Sequence, residues 1–332
     1  MPHILWFLIA AAGAAGWGAI ALHRGETINA AWLLLAAGGT WLVAYRVYAR
    51  FLAAKVAVLD DTRATPAHRL ANGRDFVATT KWVLFGHHFA AIAGAGPLVG
   101  PVLAAQFGYL PGTLWIVIGV LLGGAVQDFV ILVGSMRRDG KSLGQMAKEE
   151  IGPATGMLAM VAILAIMVIL LAVLGLVVVR ALEHSPWGVF TILCTVPIAL
   201  VMGFWMKVWR PGRTGEATLF GVVMLLAALV AGRYVAESPV WGPFFTASGT
   251  TIAWAIIAYG FIASVIPVWM LLCPRDYLST FLKIGTIGAL AVGILLTLPE
   301  IHLPPLTRFI DGTGPVFAGS LFPFCFITIA CG

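Results

Sequence analysis

The chain has 332 residues, of which 61% are hydrophobic and only 10% charged. Soluble domains carry roughly 25% charged residues, so this composition excludes a soluble enzyme or binding module and points to a protein embedded in lipid. A formal net charge of +6 would suggest a nucleic-acid partner for a soluble chain, but here the basic residues have another origin and no nucleic-acid partner is expected.

Crossing a bilayer core of ~30 Å takes about 20 apolar residues in a helix. On that criterion ten spans are predicted, near 4–22, 28–48, 82–110, 113–134, 154–179, 188–206, 217–232, 250–272, 284–299 and 320–332. They make residues 1–332 one all-α, polytopic transmembrane domain. The first span has no Lys or Arg ahead of its apolar run and no clear small-x-small cleavage site, so it reads as a retained span rather than a signal peptide. The last ends at Gly332 while still apolar. Thirteen residues reach only ~20 Å at 1.5 Å per residue, so a longer protein, truncated here at its C-terminus, is expected.

With the N-terminus in the cytoplasm, sixteen Lys and Arg fall in loops on that side. They lie in the 46–81, 137–148 and 207–213 loops and at Arg275 and Lys283. Only Arg24, Arg180, Arg233 and Arg308 fall on the other side. This asymmetry follows the positive-inside rule and explains the net charge. The polar stretch from Arg50 to Lys81 reads as a solvated linker. Trp82, Trp187, Trp205, Trp209, Trp241 and Trp269 lie near span ends, where indole rings anchor at the bilayer interface.

The third span, KWVLFGHHFAAIAGAGPLVGPVLAAQFGYL, carries Gly94, Gly96, Pro97, Gly100 and Pro101 within eight residues. Broken backbone survives at membrane depth only where protein or a watery cavity satisfies its polar groups. An interrupted span therefore marks a substrate site in a secondary transporter. The N–H groups at the start of its second half favour an anionic group such as a carboxylate. Gly94, Gly96, Pro97 and Gly100 are accordingly predicted to bind substrate. The eighth span is interrupted by Gly260 and Pro267 and carries Ser264, so Gly260 and Ser264 join the predicted substrate site. The two broken spans are five helices apart and run in opposite directions, the pattern of an inverted repeat with its site near the midplane.

Asp128 is the one carboxylate well inside a predicted span. An ionised carboxylate there costs roughly 2.5–3.5 kcal/mol, so it is expected to have a partner. His87 and His88 lie at a similar depth, ~10 Å from the same side at 1.5 Å per residue, on the preceding span. Histidine titrates near neutral pH. The His pair and Asp128 are therefore expected to meet, and one of His87, His88 and Asp128 is predicted to take part in proton coupling, the alternative being a hydrogen-bonded cluster that only pins the two helices together. Gln127, about 100° round the helix, is expected to serve as an interhelical hydrogen bonder.

Other patterns fail on spacing. Residues 135–142, SMRRDGKS, lack the first glycine of a phosphate-binding loop and follow a membrane helix rather than a strand. The glycines at 94, 96 and 100 are spaced one residue too long for a dinucleotide fingerprint, and adjacent histidines do not match the i, i+4 pair of a zinc protease. Cys194, Cys273, Cys325 and Cys331 form no C-x-x-C pair and read as small buried apolar groups. No metal or cofactor is expected.

The segments FGHHFAAIAGAGPLVGPVLAAQFGYLPG, GGAVQDF, MRRDGKSLG, VIPVWMLLCPRDYLSTFLKIGT and DGTGPVF with LFPFCFITIACG together resemble the carbon starvation protein A family, over essentially the whole chain. The resemblance implies a bacterial inner-membrane transporter related to the amino acid–polyamine–organocation group, hence a LeuT-like bundle with discontinuous helices. It implies peptide uptake during carbon starvation for some members and proton-driven pyruvate uptake for others, in a protein about twice this length. The expectation is thus a secondary transporter, not an enzyme, importing a small carboxylate-bearing nutrient with protons. The competing classes are a channel, a membrane enzyme and a nutrient sensor.

Overall fold

The computed structural model describes residues 13–16, 18–73 and 76–330. Most of the predicted first span, together with Arg74 and Cys331, lies outside them. Within the described residues seven helices are long and apolar enough to cross a membrane, and the chain is a multi-pass membrane protein. We label the helices α1 (Ala30–Val56), α2 (Lys81–Ile92), α3 (Ala95–Ala104), α4 (Tyr109–Arg137), α5 (Leu143–Glu150), α6 (Pro153–Leu182), α7 (Pro186–Trp209), α8 (Thr214–Glu237), α9 (Gly249–Val265), α10 (Leu272–Thr297) and α11 (Leu321–Ala330). Together α2 and α3 make up the broken span Lys81–Phe107.

The helix starts are written in the sequence. Asn29, Ser142, Ser185 and Ser248 each turn a side-chain oxygen onto first-turn N–H groups of α1, α5, α7 and α9, donors that no intrahelical carbonyl reaches. Pro153 and Pro186 occupy the first turns of α6 and α7, where a missing N–H costs nothing. Glu183, at the end of α6, also accepts from the Gly249 N–H at 3.2 Å, adding a carboxylate at the N-terminus of α9.

The best-buried core joins α2, α7, α8 and α10 through Val83, Ile198, Met202, Leu225, Tyr277 and Leu278. A second cluster joins α3 to α11 through Ala104, Phe107, Cys325 and Ile329. The most apolar stretch of α6 has none of its residues buried against protein, as suits a helix solvated by lipid tails. The linker between α1 and α2 is docked rather than free. Arg69 pairs with Asp139, and Arg137 donates to the carbonyl oxygens of Ala57 and Val58.

One region departs from the sequence expectation. The predicted span 250–272 and the loop after it are divided differently. α9 ends at Val265, the chain turns through Pro267, and α10 begins at Leu272. Gly260 does not interrupt α9. Arg275 and Lys283, expected in a loop, lie inside α10. Pro267 stops α9 because it cannot continue the hydrogen-bond ladder, whereas Pro274 falls in the first turn of α10, where that ladder has not begun. The charges of Arg275, Asp276 and Lys283 depress local hydropathy and disguise the first half of a long helix.

Beyond α3 the chain is stapled to the loop that follows α10. Gly108, at φ +108°, lies against Pro305, and a Cβ there would sit 2.3 Å from the Pro305 carbonyl oxygen. Buried Gln106 donates to the Phe317 carbonyl at 3.2 Å and accepts from the N–H groups of Val316 and Phe317 at 3.3 Å. In the same loop, the Thr313 backbone N–H and hydroxyl hold the Asp311 carboxyl below the usual carboxylate range. Replacing Gln106 with Ala leaves three part-buried backbone groups of that loop without their partner, at about 1–3 kcal/mol for any that water does not reach. Lower thermal stability in detergent, with the bilayer spans still inserted, is the expected result.

Candidate functional site

The break between α2 and α3 is an inverse γ-turn. Ala93 has φ −79° and ψ 58°, and the Gly94 N–H donates back to the Ile92 carbonyl at 2.8 Å, as that turn requires. Because Gly94 turns back, its N–H no longer reaches the Ala90 carbonyl, its partner in a continuous helix. Lys283 of α10 takes that place, with Nζ 3.0 Å from the Ala90 oxygen. Pro97 falls in the first turn of α3, where its missing N–H is harmless, and Pro101 removes a bond inside it.

The helix α10 runs parallel to α2 and presents three polar side chains to it at i, i+4 and i+7. These positions share one helical face. Asp276 Oδ2 lies 3.0 Å from His87 Nδ1. The Thr280 hydroxyl donates to the Gly86 carbonyl at 2.6 Å, and Lys283 reaches Ala90. The close approach is set by Gly86, where a Cβ would sit 2.6 Å from the Tyr277 ring. His87 and Asp276 are close, but no well-directed N–H···O bond joins them, and Nδ1 is buried without a directed partner. At 3.0 Å a small reorientation of either side chain would direct a bond between the carboxylate and the imidazole, a pairing suited to passing a proton because histidine ordinarily titrates near neutrality. Both side chains are about two-fifths exposed, 38% for His87 and 37% for Asp276, although the Nδ1 atom itself is covered.

The residues predicted from sequence separate into two groups. Gly94 caps α3 in extended conformation and Gly96 and Pro97 form its first turn, all at the break. Gly100 is buried one turn further, where a Cβ would meet the Thr328 carbonyl oxygen of α11 at 2.2 Å. His87 lies on the seam between α2 and α10, while His88 points outward and is exposed. Asp128, half-buried on α4, makes no hydrogen bond or ion pair among the described residues, and the partner of His87 is Asp276. Gly260 and Ser264 are exposed on α9, and the Ser264 hydroxyl donates within its own helix to Phe261 at 2.7 Å. Sequence reasoning missed Asp276, Thr280 and Lys283. Their i, i+4, i+7 spacing was the signal that marks them as one face of a helix.

Residues 29–332 match the family model described as carbon starvation protein CstA. The chain belongs to the carbon starvation protein CstA family. It is 57% identical to the "Peptide transporter CstA" of Escherichia coli (strain K12) over 330 residues, covering 99% of this chain and 47% of that protein. It is 56% identical to the "Pyruvate/proton symporter BtsT" of the same organism, covering 99% and 46%. The "Peptide transporter CstA" of Helicobacter pylori (strain ATCC 700392 / 26695) is 55% identical, covering 100% and 48%. The chain therefore spans about half the length of the curated relatives it matches. No solved structure matches it. As a CstA-family chain it carries both the broken span and the polar face of α10 that closes on it.

Proposed function

We propose that this chain forms the substrate- and proton-handling half of a secondary transporter in the bacterial inner membrane, importing a small carboxylate-bearing nutrient during carbon starvation. The observation that carries this reading is the open break at Ala93–Gly94, about midway along its span, with a titratable side-chain cluster packed beside it. Broken helices at the midplane place substrate sites in secondary transporters, and ionisable groups at that depth are functional by default.

Peptides are the first substrate. Pyruvate with a proton is the second, favoured by the near-equal identity to the symporter of Escherichia coli. His87 and Asp276 carry the coupling proton. The N-terminus faces the cytoplasm, because basic loop residues crowd that side, and moving Arg275 and Lys283 into α10 leaves that bias in place. The broken span 81–107 is the discontinuous helix of this reading, while α9 runs unbroken to Val265 and α10 is a span of its own. The protein works on solute and protons in a lipid bilayer and performs no covalent chemistry.

The test is uptake of labelled dipeptide and labelled pyruvate by the full-length protein in vesicles with an imposed proton gradient. Accumulation of one substrate that collapses with an uncoupler is expected. Flux that only equilibrates would mark a channel, and binding without flux would mark a sensor.

A further inference from the structure

Lys283 lies about midway along α10. An ammonium at that depth is costly unless paired, yet no carboxylate lies within ion-pair distance of it among the described residues. The nearest acidic residue on its face, Asp276, is seven residues back, roughly 10 Å along the axis at 1.5 Å per residue, and already abuts His87. An ammonium has three N–H donors, and Lys283 spends one, on the Ala90 carbonyl. The remaining donors sit at the break, where the backbone is open. A Cβ at Gly94 would meet nothing nearer than the Ala91 oxygen at 4.0 Å, whereas Gly86 and Gly100 on either side are tightly packed.

We infer that Lys283 is a substrate-specificity residue, whose ammonium binds the carboxylate of the transported nutrient at the α2–α3 break. The assignment rests on the transport reading above and names the group that selects its substrate. The bond to Ala90 fixes the ammonium in place before substrate arrives, so little side-chain entropy is lost on binding. The incoming carboxylate supplies the charge compensation that the site lacks. A peptide C-terminus and a keto acid both satisfy it, so Lys283 selects the carboxylate and leaves the rest of the substrate to other contacts.

The test uses the full-length protein in proteoliposomes and compares each acid with its own amide as a competitor of labelled uptake. For the wild type, the acid is expected to compete at least ~10-fold better than the amide, equivalent to about 1.4 kcal/mol. Lys283→Gln keeps a donor for the Ala90 carbonyl but no charge. It is expected to reach the membrane at wild-type level, lose the preference for acid over amide, and raise KM about tenfold or more. Where the glutamine form does not accumulate, Lys283→Arg serves instead. It is expected to keep the preference while KM moves several-fold, because the wider guanidinium changes the reach. Retention of the preference by Lys283→Gln, an unchanged KM in Lys283→Arg, or equal competition by amide and acid in the wild type overturns the assignment and leaves transport intact. Absence of wild-type uptake of both labelled compounds sinks the transport reading, and this assignment with it.

Discussion

Asp276→Asn is expected to abolish proton-driven accumulation while leaving exchange of labelled for unlabelled substrate nearly intact. Asparagine keeps the shape of the carboxylate and its contact distance to His87, 3.0 Å in the native protein, so the seam between α2 and α10 stays closed. It cannot carry the proton. Exchange at equal concentrations moves no net proton and tests binding and the conformational cycle. Accumulation against a gradient adds the coupling step alone. A fall of at least tenfold in accumulation ratio, about 1.4 kcal/mol of lost coupling, is the expected size. His87→Gln is expected to behave alike. Asp128→Asn, which alters a residue with no partner among the described residues, is expected to stay within about twofold of wild type, well under 1 kcal/mol. Undiminished accumulation by Asp276→Asn would remove the pair from the coupling step.

Much of this architecture is legible in the sequence alone. Length and hydropathy mark the long spans because a bilayer leaves the backbone no alternative to a helix. The break at Ala93–Gly94 was legible from glycine and proline, whose conformational limits act locally. The partner of His87 was not. Depth along a helix can be counted from sequence, and Asp128 lies at a suitable depth, but direction around the axis depends on which helix packs where. Val83, Gly86 and Ala90 are the buried residues of α2, and His87 shares their face, which Gly86 brings against Tyr277 of α10. His88, about 100° away, is exposed. The charges on α10 were the second obstacle. A hydropathy window averages over all faces, so three charged residues read as loop, although Asp276 and Lys283 lie on the side turned to α2 and leave the opposite face apolar.

The glycines of the broken span looked equivalent in sequence, and the structure gives them opposite roles. Gly100→Ala is expected to damage the fold severely. The added Cβ would stand 2.2 Å from the Thr328 carbonyl oxygen, 3.2 Å from its carbon and 3.5 Å from Ile329 Cα. All three are backbone atoms of α11, so no side-chain rotation relieves the overlap, and α3 and α11 must move apart. Overpacking of a tight contact costs about 1–3 kcal/mol and more where backbone must shift. The contact lies beside the core that includes Ala104, Cys325 and Ile329, so the loss spreads to that packing. Reduced thermal stability in detergent and lost uptake are expected together. Gly94→Ala is the control. Gly94 has φ −91° and ψ −161°, an extended conformation open to any residue, and its neighbourhood is empty. Stability within about 1 kcal/mol of wild type is expected, since Ala in a compatible conformation costs little. A methyl group there narrows only the space at the break itself. Weakened uptake by a Gly94→Ala protein of normal stability would locate substrate in that opening. Wild-type stability in Gly100→Ala would mean that α3 and α11 do not meet as described.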